Sequence, residues 1–352
     1  MPITLLTAFA LALSVLLRPA AAAQVISPNA AFEDQVKGVW REIKVSPNLD
    51  EFGLPKWEVV ERKNPQSVGP QHGTFKLRVL SYNIHGLAEI FVGKKEFPEA
   101  RFAEIGNILR ALRAAGAAPH IVGLQEAFVA KTDDIARLSG YPYVSRGPGK
   151  KGIALNSGLV ILSEYPIKDA DSIVFGKDCA GMDCWANKGV QYARVMVPGI
   201  PEGISIFNTH LNSDPEPKWV DERDRTDRAH MIQTWDLQDF MSEKGVLGKP
   251  SILISDFNDG PQDLDYNLFV GWIGMGGMRD TNRACVQTQA CVKDLDMEDD
   301  WRNSADHQFY VGGANPKVQL DPIVYKKTFK AQVNGHSLSD HSGLEIHYLA
   351  RW

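Results

Sequence analysis

Four apolar runs in this chain each end on a carboxylate, amide or imidazole, and that repeated ending constrains the fold more than any other feature. Ser81-Tyr82-Asn83 closes the first run, Gln125-Glu126 the second, Asn208-Thr209-His210 the third and Ser255-Asp256-Phe257-Asn258 the fourth. Leu320-Asp321 opens a fifth strand-like segment, and Leu338-Ser339-Asp340-His341 completes the series. Strand ends that converge in this way place their polar side chains along one edge of a sheet. Such an edge suits a hard cation and a phosphate.

The periodicities between these endings set the architecture. Lys76 to Ser81 alternates and then turns apolar, as a strand entering a core does. Arg101 to Ala115 places Phe102, Ile105, Ile108, Leu109 and Leu112 on one helical face, with Gly116 and Pro119 as stops. His120 to Leu124 is the next strand, so a β–α–β unit brings Asn83 and Glu126 to the same edge. Further strands are expected at Ser157–Leu162, Val190–Val197, Gly203–Phe207, Pro250–Ile254, Pro322–Tyr325 and Gly343–His347, and a polar helix over Asp221–Glu243. Many strands with few helices between them predict two packed sheets flanked by helices, rather than one doubly wound sheet.

The 352 residues are 44% hydrophobic and 23% charged, enough for one large domain. Ile3 to Leu17 is almost unbroken apolar sequence, followed by Pro19 and Ala20-Ala21-Ala22-Ala23. This reads as a signal peptide over residues 1–23 cut near Gln24, although its n-region holds no Lys or Arg. Residues 24–73 form an N-terminal extension of unassigned role, in which Val36–Val60 suits a helix or a strand pair. The catalytic domain is expected over residues 74–352. The formal net charge is -5, and removing the leader would take away Arg18 and no acid. That argues against a non-specific nucleic-acid binder, which needs a basic face. Four cysteines allow three pairings, and short closures favour Cys179 with Cys184 and Cys285 with Cys291. Export to the periplasm or the medium is the expectation, since disulfides belong to oxidising compartments.

Taken in order, Ser81-Tyr82-Asn83, Gln125-Glu126, Asn208-Thr209-His210, Ser255-Asp256-Phe257-Asn258, Leu320-Asp321 and Ser339-Asp340-His341 resemble the endonuclease/exonuclease/phosphatase superfamily. The resemblance implies a four-layer α/β sandwich of two mainly antiparallel sheets flanked by helices, and Mg²⁺-dependent phosphoester cleavage. Glu126 and Asn83 offer hard oxygen ligands for Mg²⁺, with Mn²⁺ as a substitute, and Asp340 would add a second carboxylate. Asp256 and Asn258 stand two apart, so alternation sends both to one side. One can activate water while the other donates to a phosphate oxygen; an Asp/Asn turn is the structural alternative, since Asp259-Gly260 follows. By resemblance, His210 donates to the phosphate, and His341, held by Asp321, acts as general base or as a phosphate-polarising acid. His85 follows Asn83 by two and is left open. Ser255 replaces the usual Gly, and Ser342-Gly343 stands where many nucleases of the family have a Pro.

Trp185-Ala186-Asn187-Lys188-Gly189-Val190 resembles the Lys-Gly-Val segment of the sphingomyelinase-type, phospholipase C-like branch. Lys188 beside a flexible Gly could reach a substrate phosphate; read from the residues alone, a solvated Lys in a hairpin turn is the favoured alternative. Two apolar stretches suit either transient membrane contact or a buried core loop: Ile90-Phe91-Val92 beside Lys94 and Lys95, and Trp272-Ile273-Gly274-Met275. Three readings follow. They are an exported monomeric phosphodiesterase acting on a phospholipid, a secreted or periplasmic nuclease of the same fold, and a non-catalytic binding protein on this scaffold.

Overall fold

The computed structural model describes residues 73–87, 100–151, 155–176, 178–213, 223–246, 248–258, 264–275, 277–288, 291–293, 304–314 and 317–352, and three strands before them. The leader segment and Ile90-Phe91-Val92 lie outside the described residues. The chain divides into two compact units, Met1–Ser67 and Val68–Trp352. In the first, strands Phe32–Asp34, Val39–Leu49 and Pro55–Lys63 pair antiparallel in sequence order.

The second unit carries thirteen strands that concern the argument. They are β1 (Thr74–Asn83), β2 (Ile121–Gln125), β3 (Tyr143–Arg146), β4 (Val160–Ser163), β5 (Ile167–Val174), β6 (Gly189–Val195) and β7 (Ile204–His210). After them come β8 (Ser251–Asp256), β9 (Arg279–Asp280), β10 (Val292–Lys293), β11 (Asp306–Val311), β12 (Lys317–Thr328) and β13 (Gly343–Arg351). The helices are α1 (Ala100–Ala114), α2 (Asp133–Ser139), α3 (Arg223–Glu243), α4 (Leu264–Met275) and α5 (Thr281–Thr288). One sheet runs β10-β12-β13-β1-β2-β4-β3 and the other β9-β11-β8-β7-β6-β5. Most pairs are antiparallel; β1 with β2 and β7 with β8 are parallel.

Alternation explains the layers. Along β1, Leu77 and Val79 face the second sheet, where they meet Val195, Ile206, Ile252 and Ile254. Leu80 and Tyr82 face the other way, against Phe102, Ile105 and Leu109 of α1. On the second sheet Tyr192, Phe207, Leu253 and Phe309 point outward to Leu237, Phe240 and Met241 of α3 and to Phe269 and Ile273 of α4. Helix, sheet, sheet and helix therefore stack around three apolar layers, as the strand and helix periodicities predict. Burying each of these aliphatic or aromatic side chains contributes about 1.5–3 kcal/mol.

Near one edge the core between the sheets turns polar. Gln125 donates to Asn208 Oδ1 (2.8 Å), and Asn208 donates to the carbonyls of Leu124 (3.0 Å) and Val160 (3.3 Å). These buried amides staple the two sheets in register, since a slip would leave them unpaired at about 1–3 kcal/mol each.

Two segments differ from the sequence expectation. Trp272-Ile273-Gly274-Met275 ends a helix instead of forming a loop. Ile273 is buried, and partly buried Trp272 packs on Phe269, ring centroids 6.0 Å apart, so these two side chains belong to the core layer under the helix. The strand Asp306–Val311 was not foreseen, and it supplies a site residue.

Candidate active site

Register assembles the site. Parallel pairing puts Asn83 opposite Gln125, so the next residue, Glu126, emerges at the same edge. On the second sheet His210 pairs with Asp256, and Asp256 with Asp306, so three functional side chains stand in one row across β7, β8 and β11. β13 begins beside Ser81, and the preceding turn reaches the edge through Ser339 Oγ, which donates to the Asn83 carbonyl (2.7 Å).

The backbone is bent to aim these groups. Of five non-glycine residues with left-handed φ among the described residues, three are His85 (φ 49°), Glu126 (58°) and Asn258 (56°). Each costs about 1–3 kcal/mol and persists only where the surroundings enforce it. Gly158 is part of that enforcement: a Cβ there would stand 3.0 Å from Glu126 Cα and 2.8 Å from the Phe128 ring. Buried Arg101, at the start of α1, donates to the carbonyls of Ile84, His85 and Leu338 and so fixes two site loops at once.

One oxygen is the point of convergence. Asp256 Oδ2 accepts from the Asn83 amide at 2.8 Å and lies 3.7 Å from both His210 Nε2 and His341 Nε2. The other oxygen accepts from the Asn258 backbone N–H at 3.0 Å.

The two imidazoles sit in opposite fields. Burial and the adjacent Lys188 cation push His210 down to about 4, so it is neutral near pH 7. Lys188 Nζ stands 3.2 Å from His210 Nε2 and the Asn258 amide 3.0 Å from it. An ammonium only donates, so Nε2 accepts and the proton sits on Nδ1. His341 is the reverse. Burial alone would lower it, but the Asp306 carboxylate, 2.9 Å from Nδ1, and the charges of Asp256 and Asp340 lift it to about 10. It stands as an imidazolium.

This geometry corrects three expectations. The residue that holds His341 is Asp306, not Asp321. Asp321 pairs with Leu349, whereas the end of β12 nearest His341 pairs Thr328 with Gly343, roughly 20 Å along the strand. The Asp321 carboxylate instead pairs with Arg351 and accepts from Gln319 (2.8 Å). Lys188 does not reach outward for a phosphate. It is 4% exposed, and its ammonium pairs with Asp183 (3.0 Å), His210 and the Leu211 carbonyl. The Cys179–Cys184 disulfide closes the loop that supplies Asp183, which no reading of Lys188 in its own segment reveals. His210, expected to donate to phosphate, presents an acceptor at Nε2.

The residues expected to hold a cation are placed unevenly. Glu126 Oε1 accepts from the Asn83 amide (3.0 Å), while its Oε2 is buried without a hydrogen-bond partner. Burial raises its pKa against that hydrogen bond and the pull of Lys188. A buried carboxylate with an unpaired oxygen calls for a cation, so the residues present fit one. Asn83 Oδ1, the expected ligand atom, accepts from the His85 N–H at 2.9 Å. Asp340 is close to His85 Nδ1 (2.8 Å), and His85 Nδ1 is 3.8 Å from Glu126 Oε2, so an imidazole stands between the two carboxylates. His85 and its neighbours hold Asp340 at about 2, against the burial that would raise it. Asp256, Asp306 and His341 form a second acidic/His group whose ligand atoms lie within 4.8 Å of one another. With no cation bound, these carboxylates favour the protonated form of its imidazole. Cys179–Cys184 and Cys285–Cys291 are both disulfides, the two local closures.

Two sheets that converge on an Asp–His–Asn edge beside a cation-seeking Glu define an α/β sandwich of the phosphoesterase kind. The profile of the Endonuclease/Exonuclease/phosphatase family matches residues 80–341, and the chain belongs to that family. A "Putative neutral sphingomyelinase" of Drosophila melanogaster is 22% identical over 282 residues, 76% of this chain and 60% of that protein. "Sphingomyelinase C 2" of Leptospira interrogans is 26% identical over 131 residues, 37% of this chain and 20% of that protein. The matched stretch thus spans about three fifths or less of these relatives. Among solved structures, a beta toxin from Staphylococcus aureus superposes with a TM-score of 0.57 at 18% identity, over 77% of this chain and 99% of its own. A second beta toxin structure carries bound magnesium ions; it superposes with a TM-score of 0.54 at 16% identity, over 78% of this chain and 99% of its own. These superpositions show the fold.

Proposed function

We propose that this chain is an exported, metal-dependent phosphodiesterase that hydrolyses the head-group ester of a phospholipid, with sphingomyelin or a related choline lipid as its first substrate. The observation that carries the chemistry is Asp256 Oδ2 standing 3.7 Å from a neutral and from a charged imidazole. His341 already holds its proton, which suits it to polarise the phosphate and to protonate the leaving alkoxide. Asp256 is the carboxylate left to take a proton from the attacking water. The water oxygen bonds to phosphorus, the bond to the ceramide or diacylglycerol oxygen breaks, and His341 gives that oxygen its proton. Lys188 and Asn258 keep His210 neutral and oriented beside Asp256. A divalent cation held by Glu126, with the Asn83 amide oxygen as a further donor, would supply charge neutralisation at the phosphate.

The sphingomyelinase relatives support the lipid as substrate, and the formal charge of -5 supports it against DNA. The two disulfides support export. The test is purified protein with Mg²⁺ against sphingomyelin, phosphatidylcholine and plasmid DNA in parallel. Release of phosphocholine is expected. Untouched lipid with degraded plasmid would replace the lipid reading by that of a nuclease.

A further inference from the structure

We propose that the disulfide-tied turn around Met182 and Trp185, with Lys150 and Lys151 beside it, is the surface by which this protein docks on a phospholipid bilayer. The inference rests on the lipid-substrate reading and adds where the membrane sits relative to the site. Gly181–Trp185 is a single 3₁₀ turn whose base is clamped by the Cys179–Cys184 disulfide. In a 3₁₀ helix residues i and i+3 eclipse, so Met182 and Trp185 share one face. Both face solvent, at 59% and 54% exposure. Seven large apolar side chains are exposed among the described residues, and these two are the pair that falls in one turn.

The opposite side of the same turn belongs to the active site. Asp183 points inward, 3.0 Å from Lys188 Nζ, and accepts from Ser213, three residues after His210. The apolar tip is therefore tied, through Asp183 and Lys188, to the strand end that carries His210. Three ties hold it to the neighbouring loop: the Leu155 N–H donates to the Trp185 carbonyl (2.7 Å), the Asn187 N–H to the Leu155 carbonyl (3.2 Å) and the Asn187 amide to the Gly149 carbonyl (2.7 Å). That loop carries exposed Lys150 and Lys151.

The occupant follows from size and charge. A stable protein partner buries roughly 1,200–2,000 Å² in total, far more than two side chains and two lysines present. A bilayer needs no such area. Tryptophan partitions to the membrane–water interface, methionine enters the acyl boundary, and lysines beside them are drawn to anionic head groups.

The experiment is co-sedimentation of the full chain with vesicles of phosphatidylcholine and phosphatidylserine. It compares wild type with Met182→Ser/Trp185→Ser and with Lys150→Glu/Lys151→Glu. Hydrolysis of bis-p-nitrophenyl phosphate and of lipid in detergent micelles is followed alongside. The apolar pair should bind vesicles at least about tenfold more weakly. The lysine pair should lose at least about fivefold per residue, an effect that salt erases. Both variants should keep the wild-type rate on the soluble ester, which also shows that they fold. Vesicle binding unchanged in both variants, or absent in wild type, overturns the docking surface. Failure of wild type to cleave micellar lipid while vesicle binding still depends on these residues would remove the lipid-substrate reading instead.

Discussion

The two imidazoles that flank Asp256 have the same chemistry and the same distance to one oxygen, yet opposite charge. His210 is buried with a cation beside the same Nε2 that faces Asp256 and is held down to about 4; His341 has a carboxylate on its far nitrogen, Nδ1, and is lifted to about 10. The charge each ring carries is set by its charged neighbour, Lys188 or Asp306, and not by the ring. Burial pushes both histidines the same way; only the sign of the adjacent charge separates them.

The comparison breaks first at the reacting groups. His341→Ala and Asp256→Ala should each lower turnover about 10²–10⁴-fold, since each removes a proton-transfer partner. His341→Ala at wild-type rate in a steady-state phosphodiester assay would show that the charged ring is not the acid. Glu126→Gln should come next. Calorimetry should show Mg²⁺ binding at least about tenfold weaker, with turnover lost in proportion and the melting curve retained. Wild-type activity in excess chelator would refute the cation altogether.

A finer cut separates the two aspartates. Asp306→Asn should cost on the order of ten- to a hundredfold, because Asp306 charges and orients His341 without touching a reacting atom. Asp321→Asn should leave activity unchanged, since Asp321 serves Arg351 and Gln319. Equal losses in the two variants would reject the present assignment.

The smallest expected effect is on stability. His341, raised above its ordinary value of 6.5, contributes stability that is complete below about pH 6.5 and lost as pH rises toward 10. His210, lowered from 6.5, contributes stability that is complete above about pH 6.5 and lost as pH falls toward 4. The midpoint of a thermal melt without added metal should therefore fall on both the alkaline and the acid side. His341→Gln should flatten the alkaline limb alone and His210→Gln the acid limb alone.

Much of the architecture was legible because period-2 burial leaves a clear trace. Leu77, Val79 and Leu80 cannot alternate faces without a sheet that has something apolar on either side. Asn83, Glu126, His210, Asp256 and Asn258 were legible for the same reason: each ends a strand or follows its end by one or two residues, and parallel pairs bring ends together. Asp306 was missed although Asp306-His307-Gln308-Phe309-Tyr310-Val311 has the aromatic and β-branched content of a strand. The family pattern drew attention to Leu320-Asp321 in its place. The face of a short apolar stretch was equally hidden. Trp272-Ile273 and Met182 with Trp185 look alike in composition, yet helix α4 turns the first inward and the disulfide-tied turn leaves the second in solvent.

By itself, the sequence determined the layers, the site edge and the residue types gathered there, because these follow from local periodicity and the ends of strands. Tertiary structure alone decided which carboxylate backs His341, that Lys188 serves His210 and not a phosphate, and that His85 separates Asp340 from Glu126. Those facts depend on register between strands far apart in the chain. Pairing Asp256 with Asp306 joins residues fifty positions apart, and no local pattern encodes the sign of the charge that such a pairing sets behind a histidine.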